Sequence, residues 1–69
     1  MKDLLIQYGF VESSSMKNQY IITNYIAVIW NNNNYVTIGK NSPKYGRLLN
    51  QVTYKTIQEL ENELKKNHY

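Results

Sequence analysis

Few side chains in this sequence could act as nucleophiles or as general acids and bases. The chain has no cysteine and one histidine, His68, which is the next-to-last residue. A nucleophilic triad needs a base held in place by a third group, and we expect a histidine in a fraying terminal segment not to be held in this way. The serines Ser13, Ser14 and Ser15 lie in a polar segment with no base nearby. We therefore predict no nucleophilic catalysis and no thiolate metal site.

Carboxylates cluster only near the end of the chain, at Glu59, Glu61 and Glu63. On a helix Glu59 and Glu63 are neighbours while Glu61 points elsewhere, so a metal site would have two ligands at most. A solvated helix face is the favoured interpretation. The three glycines are too dispersed to form a phosphate-binding loop. We predict that the protein is not an enzyme and that it holds no metal or cofactor.

Charge is distributed unevenly along the chain, whose net charge is +3. The segment 13–58 contains no acidic residue, and its basic residues are Lys17, Lys40, Lys44, Arg47 and Lys55. The acids are confined to Asp3, Glu12 and the C-terminal segment. If the helices share one side of a sheet, the molecule should have a mildly acidic helical side and a basic sheet-and-loop side.

Aromatic residues accompany the basic segment, and they indicate a binding surface. Single-stranded nucleic acids are bound by aromatic side chains that stack on bases and by cations that reach phosphates. The candidates for stacking are Trp30, Tyr35, Tyr45 and Tyr20, and those for phosphate contact are Lys40, Lys44 and Arg47. A solvated loop is the alternative interpretation of segment 40–47. The sequence contains no aromatic-glycine ribonucleoprotein signature, no GxxG loop and no helix-turn-helix pattern.

A helix is predicted at each end of the chain. Near the N-terminus, Asp3 can cap a short helix that ends at Gly9, with a buried stripe formed by Leu4, Leu5 and Tyr8. Near the C-terminus, Thr56 and Glu59 form a capping box before a helix from Ile57 to about Asn67. Its expected buried residues are Ile57, Leu60 and Leu64, and Glu61 and Lys65 are spaced as an i,i+4 ion pair.

The segment between the helices has the composition of antiparallel strands. Phe10 and Val11 enter an extended segment, and 12–18 is a polar loop. Residues 19–30 carry the strongest strand signal. A turn at Thr23–Asn24 dividing them into two strands is favoured over one bent strand. A strand from Tyr35 to Gly39, a loop over 40–47 and a weaker edge strand over 48–54 follow.

The run Asn31–Asn34 predicts a hairpin loop, because asparagine tolerates positive φ. Four loop residues would pair Trp30 with Tyr35. Side chains alternate between the faces of a strand. One face then carries Tyr25, Ala27, Ile29, Val36 and Ile38, and the other carries Ile26, Val28, Trp30, Tyr35 and Thr37. Both faces are largely apolar, whereas a sheet covered on one side should be polar on the other.

The surplus apolar face suggests a surface that binds another protein, with Trp30 as its anchor and Tyr side chains and Arg47 around it. The partner would be an unidentified protein or a second copy of this chain, and edge-to-edge pairing of two sheets is another route to a dimer. The alternative is that Trp30 belongs to the core, capped by segment 48–54.

The chain length of 69 residues predicts a single domain, 1–69. We predict an α+β fold with a short N-terminal helix, a three- to four-stranded antiparallel sheet and a C-terminal helix, both helices lying on one sheet face. No apolar run approaches the roughly 20 residues of a membrane span, and the first ten residues lack a cleavage site for a signal peptidase. We expect a cytoplasmic protein without membrane contact.

The layout resembles small accessory proteins encoded by phages and other mobile elements of low-GC bacteria. The resemblance lies in the opening Leu4–Phe10, in the strand Tyr35–Gly39, and in residues 56–61 at the start of the last helix. Asn, Lys, Ile and Tyr, which have AT-rich codons, make up 31 of the 69 residues. The resemblance implies a compact protein that binds a host or viral macromolecule, including as an inhibitor of a host or defence protein. It assigns no functional residue.

Overall fold

The computed structural model describes residues 1–42, 44 and 47–67, with Arg47 described by its backbone only. One helix precedes and one follows a five-stranded antiparallel sheet in the chain. The strands lie side by side in the order β1-β2-β3-β4-β5. The elements are α1 (Lys2–Gln7), β1 (Val11–Glu12), β2 (Gln19–Ile22), β3 (Tyr25–Trp30), β4 (Tyr35–Ser42), β5 (Arg47–Tyr54) and α2 (Ile57–Lys66). Neither described helix is long and apolar enough to cross a membrane.

The α+β class and the two terminal helices are confirmed, but the predicted count of three to four strands is wrong. The additional strand is β1, which has two residues and pairs Val11 with Ile21 and Glu12 with Tyr20. Two residues are too few to produce an alternating pattern in a sequence. This strand depends on pairing with β2, which sequence reasoning does not reveal.

The start of α1 differs from the prediction that Asp3 caps it. The N-cap lies two residues earlier, at Met1, and makes no side-chain cap hydrogen bond; the helix begins at Lys2, and Asp3 lies in its first turn. The predicted end is confirmed, since Gly9 has φ +98°, which favours glycine. The predicted apolar stripe is also confirmed, because Leu5 is fully buried while Leu4 and Tyr8 pack against the core.

The predicted β3–β4 hairpin is confirmed, including its register. Trp30 lies opposite Tyr35 and Ile29 opposite Val36, and the turn at residues 23–24 separates β2 from β3. Asn31, Asn32 and Asn33 have φ of 54°, 55° and 68°, and the Asn34 amide donates to the Asn31 carbonyl at 3.1 Å. The asparagine run therefore supplies the left-handed backbone that this loop requires.

The register divides the strand residues between two faces, because directly paired residues share a face. The inner face contains most of the core cluster, whose strand residues are Tyr20, Ala27, Ile29, Val36 and Ile38. The helices contribute Leu5, Leu60 and Leu64 to this same cluster. Both helices therefore cover the inner face with their buried side chains, as predicted. The outer face carries Val11, Gln19, Ile21, Ile26, Val28, Trp30, Tyr35, Thr37, Gly39 and Thr53.

Helix α2 begins as the sequence predicts. The Glu59 amide donates to the Thr56 hydroxyl at 3.1 Å, while the Glu59 carboxylate accepts from the Lys55 amide at 3.3 Å rather than from the cap residue itself. The Glu61–Lys65 ion pair is present at 3.7 Å. The prediction that Ile57 belongs to the core is wrong, since Ile57 is 61% exposed; the narrow stripe of α2 buries only Leu60 and Leu64.

Strands β4 and β5 are longer than predicted, so the predicted loop over 40–47 is shorter. Lys40 lies within β4, paired with Tyr25 on one side and Leu49 on the other. An irregularity interrupts the β4–β5 pairing between Ile38 and Lys40, and Asn50 in β5 has φ 54°. Pairing on both sides extends β4 through residues whose local composition favours a loop, which is a tertiary effect.

Candidate binding surface

The outer face is a largely apolar sheet surface, and its strand residues given above include no charged side chain. Val11, Ile21 and Ile26 form one cross-strand row that ends at Gly39. Val11 is 68% exposed and Ile21 is 39% exposed. Within the described residues, the buried positions on this face are limited to Gly39, whereas the inner face buries five strand residues. The predicted second apolar face therefore exists and is accessible.

Trp30 is held in a defined position on this face. Its indole Nε1 donates to the Thr37 Oγ1 at 2.9 Å, and Thr37 Oγ1 lies 2.9 Å from Thr53 Oγ1. The ring meets Tyr35 edge to face, with centroids 4.9 Å apart and planes at 74°. Such an arrangement uses the ring quadrupoles favourably. Trp30 is nevertheless 45% exposed, so the alternative that it is a core residue capped by β5 is wrong.

A cation completes this aromatic corner. Lys55 Nζ lies 5.9 Å from the centroid of the Tyr35 ring, a distance at which a cation–π interaction is favourable. Lys55 follows β5, and the pairing of Tyr54 with Val36 places it beside Tyr35. The aromatic corner, defined as Trp30, Tyr35, Thr37, Thr53 and Lys55, thus joins two aromatic rings, two threonine hydroxyls and one ammonium group.

Tyr20 does not belong to this surface, although it is one of the predicted stacking residues. It is 4% exposed and belongs to the core cluster, opposite Ala27 on the inner face. The prediction that its ring is available for binding is therefore wrong. The alternation of β2 decides this point, because Ile21, the next residue, faces outward.

The predicted basic residues do not join the aromatic corner. Lys40 shares the face of Val36 and Ile38, and it lies five positions along β4 from Tyr35, roughly 17 Å at 3.4 Å per residue. Lys44 is exposed in the connection between β4 and β5, and Arg47 begins β5 at this same distant end. Tyr45 lies outside the described residues. These three residues, Lys40, Lys44 and Arg47, are called the basic connection. The structure therefore places the basic connection far from Trp30 and Tyr35.

The residues considered for catalysis are engaged in local structure. The Ser13 hydroxyl accepts from the amides of Ser15 and Met16, at 3.3 and 3.1 Å. His68 lies outside the described residues. Within the described part of the chain, no group of three or more His, Asp or Glu side chains could hold a metal ion.

One titratable group near α2, the Tyr54 hydroxyl, has a clearly raised pKa. Partial burial, together with the charge of the Glu63 carboxylate and the hydrogen bond to it, raises the pKa of Tyr54 to about 12. The carboxylate favours the neutral hydroxyl, which donates to it. Asn67 Nδ2 also donates to Glu63. This cluster joins the end of β5 to α2.

Sequence reasoning missed three members of the aromatic corner as site residues: Thr37, Thr53 and Lys55. Thr37 follows from the hairpin register, since it lies two residues beyond Tyr35 on the same face. Thr53 and Lys55 require the register of β5 against β4, which passes through the irregularity beside Lys40. A predicted edge strand without a register gives no means to place them.

Comparison with known proteins gave no match to a family model, to a curated protein or to a solved structure.

Proposed function

We propose that this chain is a small, non-enzymatic protein-binding module that uses the outer face, with Trp30 as its anchor. The observation that carries the proposal is the combination of exposure and order at Trp30. Trp30 is 45% exposed, yet its side chain is fixed by a hydrogen bond at 2.9 Å and by an edge-to-face contact. Fixing the side chain before binding lowers the entropy lost on association.

The remainder of the outer face supports the same proposal. Tryptophan and tyrosine are enriched among the residues that dominate binding energy, and here Val28 lies between Trp30 and the apolar row of Val11, Ile21 and Ile26 on the same face. Contiguous exposed apolar surface on a small protein is a mark of an interaction site. The resemblance to accessory proteins of mobile elements adds the proposal that the partner is a host or defence protein that the module inhibits.

The test is capture of partners from an extract of the encoding organism, with and without nuclease, using wild type, Trp30→Ala and Ile57→Ala. Ile57 is a matched control because it is an apolar side chain, 61% exposed, on α2. We expect a protein that is retained by wild type and Ile57→Ala but lost with Trp30→Ala. Circular-dichroism melts establish first that each variant is folded.

Two results of this capture would contradict the proposal. One is a partner that binds folded Trp30→Ala as well as wild type, because the anchor would then contribute nothing. The other is a partner that disappears on nuclease treatment, because nucleic acid would then be the bound species.

Single-stranded nucleic acid is the second candidate partner of the outer face, and the position of Lys55 favours it. An ammonium group 5.9 Å from the Tyr35 ring, beside Trp30, combines a cation with stacking surfaces. Lys40 lies on the other face of the sheet, so this function depends on Lys55 more than on the basic connection.

Trp30 fluorescence measures nucleic-acid binding directly, with oligothymidylate as the probe. Quenching that weakens steeply between about 50 and 200 mM salt, and that weakens further in Lys55→Ala, supports this candidate. Lys65→Ala is the control, since Lys65 lies on α2 paired with Glu61. Unchanged Trp30 emission excludes stacking on this face.

A further inference from the structure

The two edges of the sheet differ in length and in protection. The β1 edge has two residues, whereas β5 has eight, and within the described residues no strand lies beyond β5. Natural proteins protect exposed edges with charged residues, proline, bulges or short strands, because unpaired backbone groups recruit further strands. Segment 48–54 contains no proline and no charged residue.

The hydrogen-bond alternation of the sheet shows which β5 amides point outward. The Asn41 amide donates to the Asn24 carbonyl at 2.7 Å, so it points toward β3. Successive residues of an antiparallel strand alternate in direction, and Val36 and Ile38 therefore point toward β5. Their partners Tyr54 and Val52 point back. The amide and carbonyl groups of Gln51 and Thr53 consequently face away from the sheet.

Local hydrogen bonds occupy backbone groups on both sides of the outward-facing residues Gln51 and Thr53. On one side the Gln51 side-chain Nε2 donates to the Leu48 carbonyl at 3.2 Å, next to Asn50 with its φ of 54°. On the other side the Lys55 amide donates to the Glu59 carboxylate at 3.3 Å. These contacts leave Gln51–Thr53 as a short open edge of defined position.

An open groove runs beside this edge and carries complementary charges. The groove has a volume of about 390 Å³. Val52, 51% exposed, forms part of its wall. Helix α2 contributes acidic residues, Glu59 and Glu63, and then Lys66 near its end. A single copy therefore leaves an apolar side chain uncovered between an open strand edge and a helix with charge of both signs.

We propose that two copies of this chain pair along their β5 edges, antiparallel about a two-fold axis that passes between their two Val52 residues. Gln51 of each copy then lies opposite Thr53 of the other, and the two residues exchange both backbone hydrogen bonds, giving four in the dimer. Val52 packs against Val52 of the second copy. The ten strands form one continuous antiparallel sheet.

The charges of α2 favour this two-fold arrangement. An axis normal to the sheet runs the two α2 helices in opposite directions, so the acidic start of one helix lies toward the Lys66 end of the other. Self-association in this way uses the backbone edge of β5, whereas Trp30 and Tyr35 lie on the outer face of β3 and β4; Thr53 contributes to both surfaces. Each dimer leaves both Trp30 side chains accessible, because β4 and β5 separate Trp30 from the second copy.

The test measures the oligomeric state of the full chain by sedimentation over a range of concentrations. Wild type should dimerise, and Thr53→Pro should raise the dissociation constant about 10- to 100-fold, since each copy loses one of its two outward donors. Proline is tolerated where an edge N–H faces solvent. Thr53→Val is the control, because it removes the hydroxyl that contacts Thr37 but keeps the amide.

A charge test is independent of the backbone test. Lys66→Glu places like charges opposite Glu59 of the second copy and should weaken the dimer several-fold at low salt. Lys65→Glu is the matched control, because Lys65 pairs with Glu61 of its own helix. In wild type, hydrogen exchange at the Gln51 and Thr53 amides should slow as protein concentration rises, and this measurement needs no variant.

Three results overturn the edge proposal. They are a wild type that stays monomeric up to about 1 mM, a dimer in which the Gln51 and Thr53 amides gain no protection, and a dimer that persists unchanged in folded Thr53→Pro. Trp30→Ala distinguishes a dimer formed through the β5 edge from a dimer formed through the outer face. A dimer that is lost in folded Trp30→Ala but kept in Thr53→Pro assigns self-association to the outer face.

Discussion

The two faces of the β3–β4 hairpin have similar apolar residues but different environments. Ile29 on the inner face is 6% exposed, while the next residue, Trp30, is 45% exposed on the outer face. The difference arises because Leu5, Leu60 and Leu64 of the two helices join the core on one side only. The outer face is ordered instead by polar contacts of Trp30 and Thr37. Apolar composition therefore specifies a strand, and the helices decide which side becomes core.

The largest effect is expected from truncation of two adjacent residues, Ile29 and Trp30, whose side chains lie on opposite faces of the sheet. Ile29→Ala should lower the free energy of unfolding by about 2–5 kcal/mol, because it leaves a cavity in the closed core. Trp30→Ala should cost only about 1–2 kcal/mol although it removes a larger side chain, because half of that side chain is exposed. Urea denaturation measures both. A larger loss for Trp30→Ala would mean that the outer face is covered.

The second test concerns the buried position on the outer face, Gly39. A Cβ there would lie 2.8 Å from Leu48 Cβ and 3.3 Å from the Leu49 carbonyl oxygen. Gly39→Ala should therefore cost about 1–3 kcal/mol through overpacking of β4 against β5. Denaturation measures the loss, and Asn41→Ala, at an exposed position on β4, is a control. A neutral Gly39→Ala would show that β5 moves easily.

The third test breaks the polar contacts that order Trp30. Thr37→Val keeps the shape of the side chain but removes the acceptor of the indole N–H, and it should cost about 0.5–1.5 kcal/mol. Trp30 fluorescence anisotropy should fall, since the ring is then held only by Tyr35. Thr53→Val leaves the Trp30–Thr37 bond in place and should change the anisotropy less. Equal anisotropy in wild type and Thr37→Val would contradict an ordering role for this bond.

The smallest effect is expected at the border of the inner face, where Tyr54 meets α2. Folding raises the pKa of Tyr54 from 10.0 to about 12. The native state therefore binds more protons than the unfolded state between these values. The corresponding stabilisation is complete below pH 10 and is lost as the pH rises toward 12. Unfolding measured at pH 9 to 12 should show a decline that Tyr54→Phe reduces; an identical decline in that variant would contradict the assignment.

The sequence alone determined the elements whose signals are local. The asparagine run predicts the turn at 31–34, because asparagine tolerates the positive φ found there, and the length of that loop sets the pairing of Trp30 with Tyr35. Thr56 and Glu59 predict the start of α2 in the same way. From these residues the two apolar faces and the candidate anchor Trp30 could be predicted without the tertiary structure.

Only the tertiary structure decided the features that depend on neighbouring strands. The strand β1 exists through its pairing with β2, Tyr20 is buried because its register places it opposite Ala27, and Lys40 belongs to β4 because Tyr25 and Leu49 flank it. The position of Thr53 and Lys55 beside the aromatic pair depends on a register that the irregularity near Asn50 shifts. Local propensity acts over a few residues, whereas these contacts join segments far apart in the sequence, and the chain carries no local signal for them.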